Sequence, residues 1–228
     1  MKSILLLLIF NFINNNFNSG EVTYKIILPV PKEIDESKYP KHLVEEVKKI
    51  HEERKNFEFI LTFNEKKSRY KKIETLEKKE SKEYKIALKT FANEEIYYDS
   101  SEKTFIKKIS SGELIKSRNS IAWLTLSESK KIDNYTAYKA TTIVKYNSKG
   151  VQKQKTIIAW YCPELPYNYG PLEYTGLPGL ILELNDGNIS YVVKKINLSK
   201  NKTVIEIPKG KTMSEEEYLK KIKERFGY

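Results

Sequence analysis

The sequence predicts an α+β protein dominated by antiparallel strands: a meandering, curved, half-barrel-like sheet with one helix near the N-terminus and one at the C-terminus. Three observations predict it. Apolar and polar residues alternate at a period of two through much of the chain after Asn56. Turn-forming clusters, Ser110-Ser111-Gly112, Asn147-Ser148-Lys149-Gly150 and Asn185-Asp186-Gly187-Asn188, punctuate the alternating stretches as hairpin loops would. Helical spacing of apolar residues stands out in only two places, after Pro40 and after Ser214.

Taken in order, Met1-Lys2-Ser3 supplies a short basic start, Ile4 to Phe10 an unbroken apolar run, and Asn11 to Asn18 an Asn-rich tail ending at Ser19-Gly20. That layout is a secretory signal peptide over residues 1–20, with cleavage near Gly20. The run is far short of the roughly 20 residues that cross a bilayer core, and no later segment is apolar enough, so the mature chain is expected to lack a transmembrane segment. Residues 21–228 are then expected to form a single domain. Val22, Tyr24, Ile26 and Leu28 alternate as a first strand that Pro29 ends, and Pro31 to Pro40 reads as a linker. Pro40 opens a helix to about Arg54, with Leu43, Val44, Val47 and Ile50 on one stripe.

Phe57, Phe59, Leu61 and Phe63 then form one face of a strand. Tyr70, Leu76, Tyr84, Ile86, Leu88, Ile96, Tyr97, Phe105, Ile106 and Ile109 follow in short runs, with Glu77 to Lys82 as a solvated loop or edge. Further strands are expected at Ile121–Leu126, Tyr138–Tyr146, Val151–Tyr161, Leu180–Leu184 and Ile189–Ile196. Ser214 and Glu217 make a capping box, which starts a final helix carrying Leu219, Ile222 and Phe226.

The net charge is +11, from 41 Lys and Arg against 30 Asp and Glu. The basic residues are spread along the chain and nearly all Lys. Arg54, Arg69, Arg118 and Arg225 are the only arginines, and nucleic-acid readers lean on the planar Arg fork, so no nucleic-acid partner is expected. Salt-screened attraction to anionic lipid or polysaccharide surfaces is compatible with this balance. Cys162 is the only cysteine, so no internal disulfide forms. His42 and His51 lie nine residues apart on the first helix and face different ways, which makes them poor paired metal ligands. No nucleophile elbow, H-E-x-x-H, P-loop or dinucleotide fingerprint occurs, and neither cofactor nor metal is expected.

Ala159 to Leu182 stands apart, because four of the eight prolines and three of the nine glycines fall there, among Trp160, Tyr161, Tyr167, Tyr169 and Tyr174. Prolines fix φ and glycines reach conformations closed to other residues, so a rigid, irregular backbone is expected without a disulfide. Such a segment serves either as a packed corner of the sheet or as a rigid aromatic capture surface. On the second reading the site residues are Trp160, Tyr161, Pro163, Pro166, Tyr167, Tyr169, Gly176, Leu177, Pro178 and Gly179.

The string Gly176-Leu177-Pro178-Gly179-Leu180-Ile181 resembles the signature of the GLPGLI family of exported Bacteroidetes proteins. Ala159-Trp160-Tyr161, Pro163-Glu164-Leu165-Pro166 and Gly170-Pro171 are similar to the block that precedes it. Ile121-Ala122-Trp123, Lys131 to Tyr135 and Lys139-Ala140-Thr141 resemble an earlier block. The chain departs from the family in carrying Ala137 where a Cys is frequent, and Cys162 where Thr is common. The resemblance implies an exported protein, periplasmic or surface-linked, often encoded near outer-membrane transport components, and implies no catalytic residue. The expected function is a non-enzymatic binding or accessory protein for a peptide, a lipid-like ligand or an outer-membrane transport component. The alternatives are an envelope-associated hydrolase or thiol enzyme using Cys162 or carboxylates near Glu164, and a purely structural envelope protein.

Overall fold

A computed structural model describes residues 17–29, 38–74, 81–118, 120–148 and 151–226. Most of the expected signal peptide, much of the Pro31–Pro40 linker, most of the Glu77–Lys82 run and the Lys149-Gly150 turn lie outside these residues. The described elements in chain order are β1 (Ser19–Ile27), α1 (Lys41–Lys55), β2 (Glu58–Asn64), β3 (Lys67–Lys72), α2 (Lys82–Phe91), β4 (Glu94–Asp99), β5 (Thr104–Ile109), β6 (Leu114–Ser117), β7 (Leu124–Ile132), β8 (Tyr135–Ser148), β9 (Val151–Cys162), β10 (Leu180–Asp186), β11 (Ile189–Ser199), β12 (Thr212–Ser214) and α3 (Glu215–Phe226). The strands make one sheet in the order β12-β6-β5-β4-β3-β2-β1-β11-β10-β9-β8-β7, antiparallel except where β12 runs parallel to β6. The sheet does not close, so β12 and β7 are its edges, and the curved half-barrel expected from the alternation is what forms.

β1 joins two meanders, β2–β6 and β7–β11, by pairing with β2 on one side and β11 on the other. Register carries each buried position into the next strand. Ile96, Tyr70, Leu61, Val22 and Ile196 lie on one row across β4, β3, β2, β1 and β11. Because side chains alternate across a strand, this row and its neighbours Phe59, Phe63, Tyr24 and Tyr98 bury a single inner face. The alternation of Phe57, Phe59, Leu61 and Phe63 read from the sequence therefore holds, and all four are buried.

The structure corrects three readings. On α1 only Val44 is buried and Ile50 half-buried, while Leu43 and Val47, expected on the core with them, are exposed. β7 begins at Leu124, so Ile121, Ala122 and Trp123 of the expected strand precede it. The third is a change of element. Tyr84, Ile86 and Leu88 belong to α2, not to a strand-like run. Tyr84, Ala87, Leu88 and Phe91 recur at i, i+3, i+4 and i+7, a helical stripe that the period-two reading masks. Ser81 caps it, its hydroxyl accepting from the Tyr84 N–H at 3.1 Å. α2 packs on α1, with Arg54 donating to Thr90 at 2.7 Å and lying 5.7 Å from the Phe91 ring centre. Phe91 in turn touches Phe57 and Phe59, so the helix pair covers one end of the inner face.

At the C-terminus the capping box forms as read: Ser214 N–H donates to Glu217 at 2.7 Å and Glu217 N–H donates to Ser214 Oγ at 3.1 Å. Residues 201–210 run as a strap over the outer face of β4–β6, where Ile205 packs with Tyr97, Ile106 and Leu114. Among the described residues no helix is long and apolar enough to cross a membrane.

Candidate functional site

β9 ends at Cys162 and β10 begins at Leu180, so the Pro- and Gly-rich segment is the connection between two adjacent strands. A connection this long can lie over the sheet instead of turning tightly, and it does so across the inner face. Its backbone is held by its own short-range bonds: Leu165 N–H to Cys162 O, Tyr167 N–H to Leu165 O and Gly179 N–H to Leu177 O. Two bonds tie it to β10, Leu180 N–H to Leu165 O at 2.9 Å and Ile181 N–H to Tyr169 O at 3.0 Å.

Side chains fix the rest. Tyr167 packs tilted on Phe63, ring centres 4.6 Å apart, and donates its hydroxyl to Phe17 O at 2.8 Å. Tyr169 lies against Phe63 and Tyr98, and is almost wholly buried. Glu173 accepts from Ser117 at 2.9 Å and from Lys107 at 3.1 Å, reaching across to β6 and β5. Trp123 donates to Thr175 O at 2.8 Å, and Tyr174 donates to Asp186 at 3.1 Å. From below, Tyr24 of β1 donates to Ile181 O at 2.6 Å.

The residues singled out from the sequence therefore part company. Tyr161, Tyr167, Tyr169, Leu177 and Gly179 are buried, Pro163 is half-buried, and Pro166, Gly176 and Pro178 are exposed backbone corners. Gly176 sits at φ +93° with no atom within 4 Å of an added Cβ, so its conformation alone asks for glycine. Gly179 is different: an added Cβ would meet Cys162 O at 2.2 Å, so the chain passes too close to itself for any side chain. Burial pushes the Tyr169 hydroxyl up to about 12 and also raises the Cys162 thiol. Cys162 is 0% exposed, whereas a nucleophilic cysteine needs access and a lowered pKa.

Trp160 lies on the outer face, half-buried, with Lys130 4.4 Å and Lys139 6.0 Å from its ring centre. Lys130 also pairs with Glu183 at 2.6 Å and Lys139 with Glu128 at 2.9 Å, so neither ammonium is idle. Trp160 is thus separated from Tyr161 and the rest of the loop by the thickness of the sheet.

At the opposite end of β9 the chain does something the sequence does not single out. β7 stops pairing with β8 at Leu124–Thr141, and β10 stops pairing with β9 at Asp186–Ile157. β8 and β9 continue together from Ile143–Thr156 to Ser148–Val151 as a two-stranded arm with no strand on either side among the described residues. Ile143, Tyr146 and Val151 on the arm and Leu124 beside its base are exposed. The signal that finds them is length: the hairpin outruns both neighbours, which only the register reveals. Among the described residues no group of His, Cys, Asp or Glu is placed to hold a metal ion.

Residues 145–183, which run from the arm through the buried loop, match the family model described as "Protein of unknown function (Porph_ging)". This bears out the resemblance read from Ala159 to Ile181. No curated protein sequence matches the chain. Two crystal structures of PNGF-II, in C2 and P21 space groups, share the fold at 15% identity with TM-scores of 0.52 and 0.55, covering 90% and 89% of this chain. The chain spans about a third of their length, 32% of each.

Proposed function

We propose that the chain is an exported, non-catalytic accessory protein of the cell envelope that holds a peptide or protein partner, an outer-membrane transport component among the candidates, on its outer surface. One observation carries this reading. The loop's tyrosine rings are taken up by the core, while Leu124, Ile143, Tyr146 and Val151 stay in water on a projecting arm and its adjoining edge. Leu124 and Ile143 share one face beside the free edge of β8, and exposed apolar groups gathered in this way mark interaction surfaces. The filling of the inner face by Leu165, Tyr169 and Leu177 favours a surface partner over a lipid-like ligand enclosed by the sheet.

Export rests on the leader-like start of the chain. Phe17 O, Asn18 and Ser19 are bonded into the fold, and Ser19 is buried, which favours cleavage a few residues before Gly20, ahead of Phe17. Intact mass of protein from the envelope fraction reads both points: a mature chain that retains Phe17 agrees, and an unprocessed chain in the cytosol sinks the export claim.

The buried, raised thiol favours a non-catalytic role, so Cys162 should resist iodoacetamide at neutral pH until the protein unfolds. The partner claim is tested in the producing cells by a photoreactive residue at Leu124 or Ile143, with Val204 on the strap as the control position. A discrete cross-linked species from the first two and none from Val204 is the expected result. No species from any position, in cells that export the protein, ends the accessory reading.

A further inference from the structure

We infer that the partner is an extended acidic segment that adds as a strand to the free outer edge of β8, in the lane that β7 vacates beyond Leu124. The inference rests on the surface-partner reading above and names what that surface takes.

The lane is vacant because of how the chain enters β7. Trp123 turns aside to bond Thr175 O and packs on Tyr174 with ring centres 6.2 Å apart, while Ile121 packs on the core. β8 continues past Thr141 paired with β9 alone, and no described residue pairs with its other edge. A lone two-stranded ribbon is marginal in water, and its unpaired N–H and C=O groups form a template for another strand. An added strand would replace the neighbour that β7 gives β8 one step earlier. It would also cover Leu124 and Ile143, 63% and 62% exposed, which share one face because Leu124 pairs with Thr141 and Ile143 is two residues on. Tyr146 waits on the other face.

Charge decides between occupants. From Tyr135 to Tyr161 the hairpin carries Lys139, Lys145, Lys149, Lys153 and Lys155 and no Asp or Glu. Lys139 and Lys155 are neutralised by Glu128 and Asp186 at the base. Lys145 and Lys153, both exposed on the arm, have no carboxylate partner among the described residues, and they lie on opposite faces. Lysines on an edge repel a second copy of the same edge, so self-pairing is disfavoured. A bilayer would leave the free backbone groups of the edge unsatisfied wherever the arm entered hydrocarbon. A strand alternating apolar residues with Asp or Glu satisfies backbone, apolar face and charge at once.

Short synthetic peptides test this on the full mature chain followed by amide NMR. One alternates Glu and Val, one alternates Lys and Val, and one is the Glu–Val peptide with a central proline. The Glu–Val peptide should shift amides of β8 and of Leu124, and the proline and Lys–Val peptides should bind about tenfold more weakly or worse. The double variant Lys145→Glu/Lys153→Glu should reverse the charge preference, with K145Q/K153Q intermediate, and both should keep the wild-type melting temperature.

Equal binding of the Glu and Lys peptides, indifference to proline, or shifts elsewhere in the protein would overturn the inference. So would sedimentation as an arm-dependent dimer, or binding to vesicles containing anionic phospholipid but not to the peptide. If no peptide binds while Leu124 still cross-links in cells, the acidic-strand claim fails and the surface-partner reading survives.

Discussion

The two ends of β9 lead into opposite kinds of structure. Beyond Cys162 the chain folds inward, and seventeen positions of unusual composition (163–179) pack against β1, β2, β4 and β10. Before Ile157 the chain extends outward with ordinary alternation, and its side chains meet water. Proline, glycine and tyrosine concentrate where a connection has to turn repeatedly inside the molecule. Prolines and glycines let the backbone do so without strand pairing, and tyrosines fill space, Tyr167 sending its hydroxyl to the Phe17 carbonyl and Tyr174 to the Asp186 carboxylate. Lysine and glutamine concentrate where nothing covers the backbone. Composition that looks like a binding site thus belongs here to the scaffold, and composition that looks plain belongs to the exposed arm.

The contrast is broken most forcefully at Gly179. Gly179→Ala places a Cβ 2.2 Å from Cys162 O, 2.5 Å from Cys162 C and 2.9 Å from Pro163 N, all backbone atoms that no rotamer change can move. We expect a loss of about 4 kcal/mol or more, or failure to accumulate folded protein, read by urea denaturation and soluble yield. Tyr169→Ala comes next, at roughly 3–5 kcal/mol, because a nearly fully buried ring is removed from contact with Phe63 and Tyr98. Tyr169→Phe keeps the ring and should cost far less. If both variants melt like the wild type, the loop is not part of the core.

A smaller, pH-dependent effect follows from the same tyrosines. Burial raises the hydroxyls of Tyr24, Tyr169, Tyr174 and Tyr191 above the ordinary value near 10, Tyr169 to about 12. A group whose folded pKa exceeds its unfolded one contributes stability that is intact below the unfolded pKa and drains away as pH rises through the folded one. Stability should therefore fall from about pH 10 towards pH 12. Phenolate absorbance should appear in step with unfolding for these residues.

How much of this was legible beforehand depended on whether a feature is written in local spacing. The inner face of β1 and β2 was legible, since Val22, Tyr24, Phe59, Leu61 and Phe63 alternate strictly. So was α3, whose capping box lies within four residues. α2 was not, because Tyr84, Ile86 and Leu88 satisfy a period of two while Ala87 and Phe91 supply the helical one, and the choice is made by Phe57 and Phe59 from another element. The segment 159–182 was legible as special, but not the direction its rings face, which depends on Phe63 and Tyr98 far away in sequence. Trp160 and Tyr161 are neighbours in the chain, yet pairing sends one outward to Lys130 and the other to the inner face. The arm was invisible for a related reason. Its boundaries are set by where β7 and β10 stop, and neither stopping point is written in β8 or β9.

The smallest expected effect is also the sharpest test of the comparison. Replacing residues 145–154 with Asn-Gly would close the hairpin between Val144 and Lys155, a rung already paired across the two strands, with a two-residue loop that suits the strand twist. The described ones among the excised residues, 145–147 and 151–154, are exposed and pair only within the excised stretch. They contribute no side chain to either buried cluster. The trimmed protein should keep its stability within about 0.5 kcal/mol, because surface changes away from caps, cores and networks rarely exceed that. Its far-ultraviolet spectrum should lose only a small strand contribution, while binding of the acidic strand peptide disappears. A trimmed protein that unfolds would mean the arm supports the sheet, and the opposition between the two ends of β9 would be false. A trimmed protein that is stable and still binds the peptide would leave the opposition standing and move the site elsewhere.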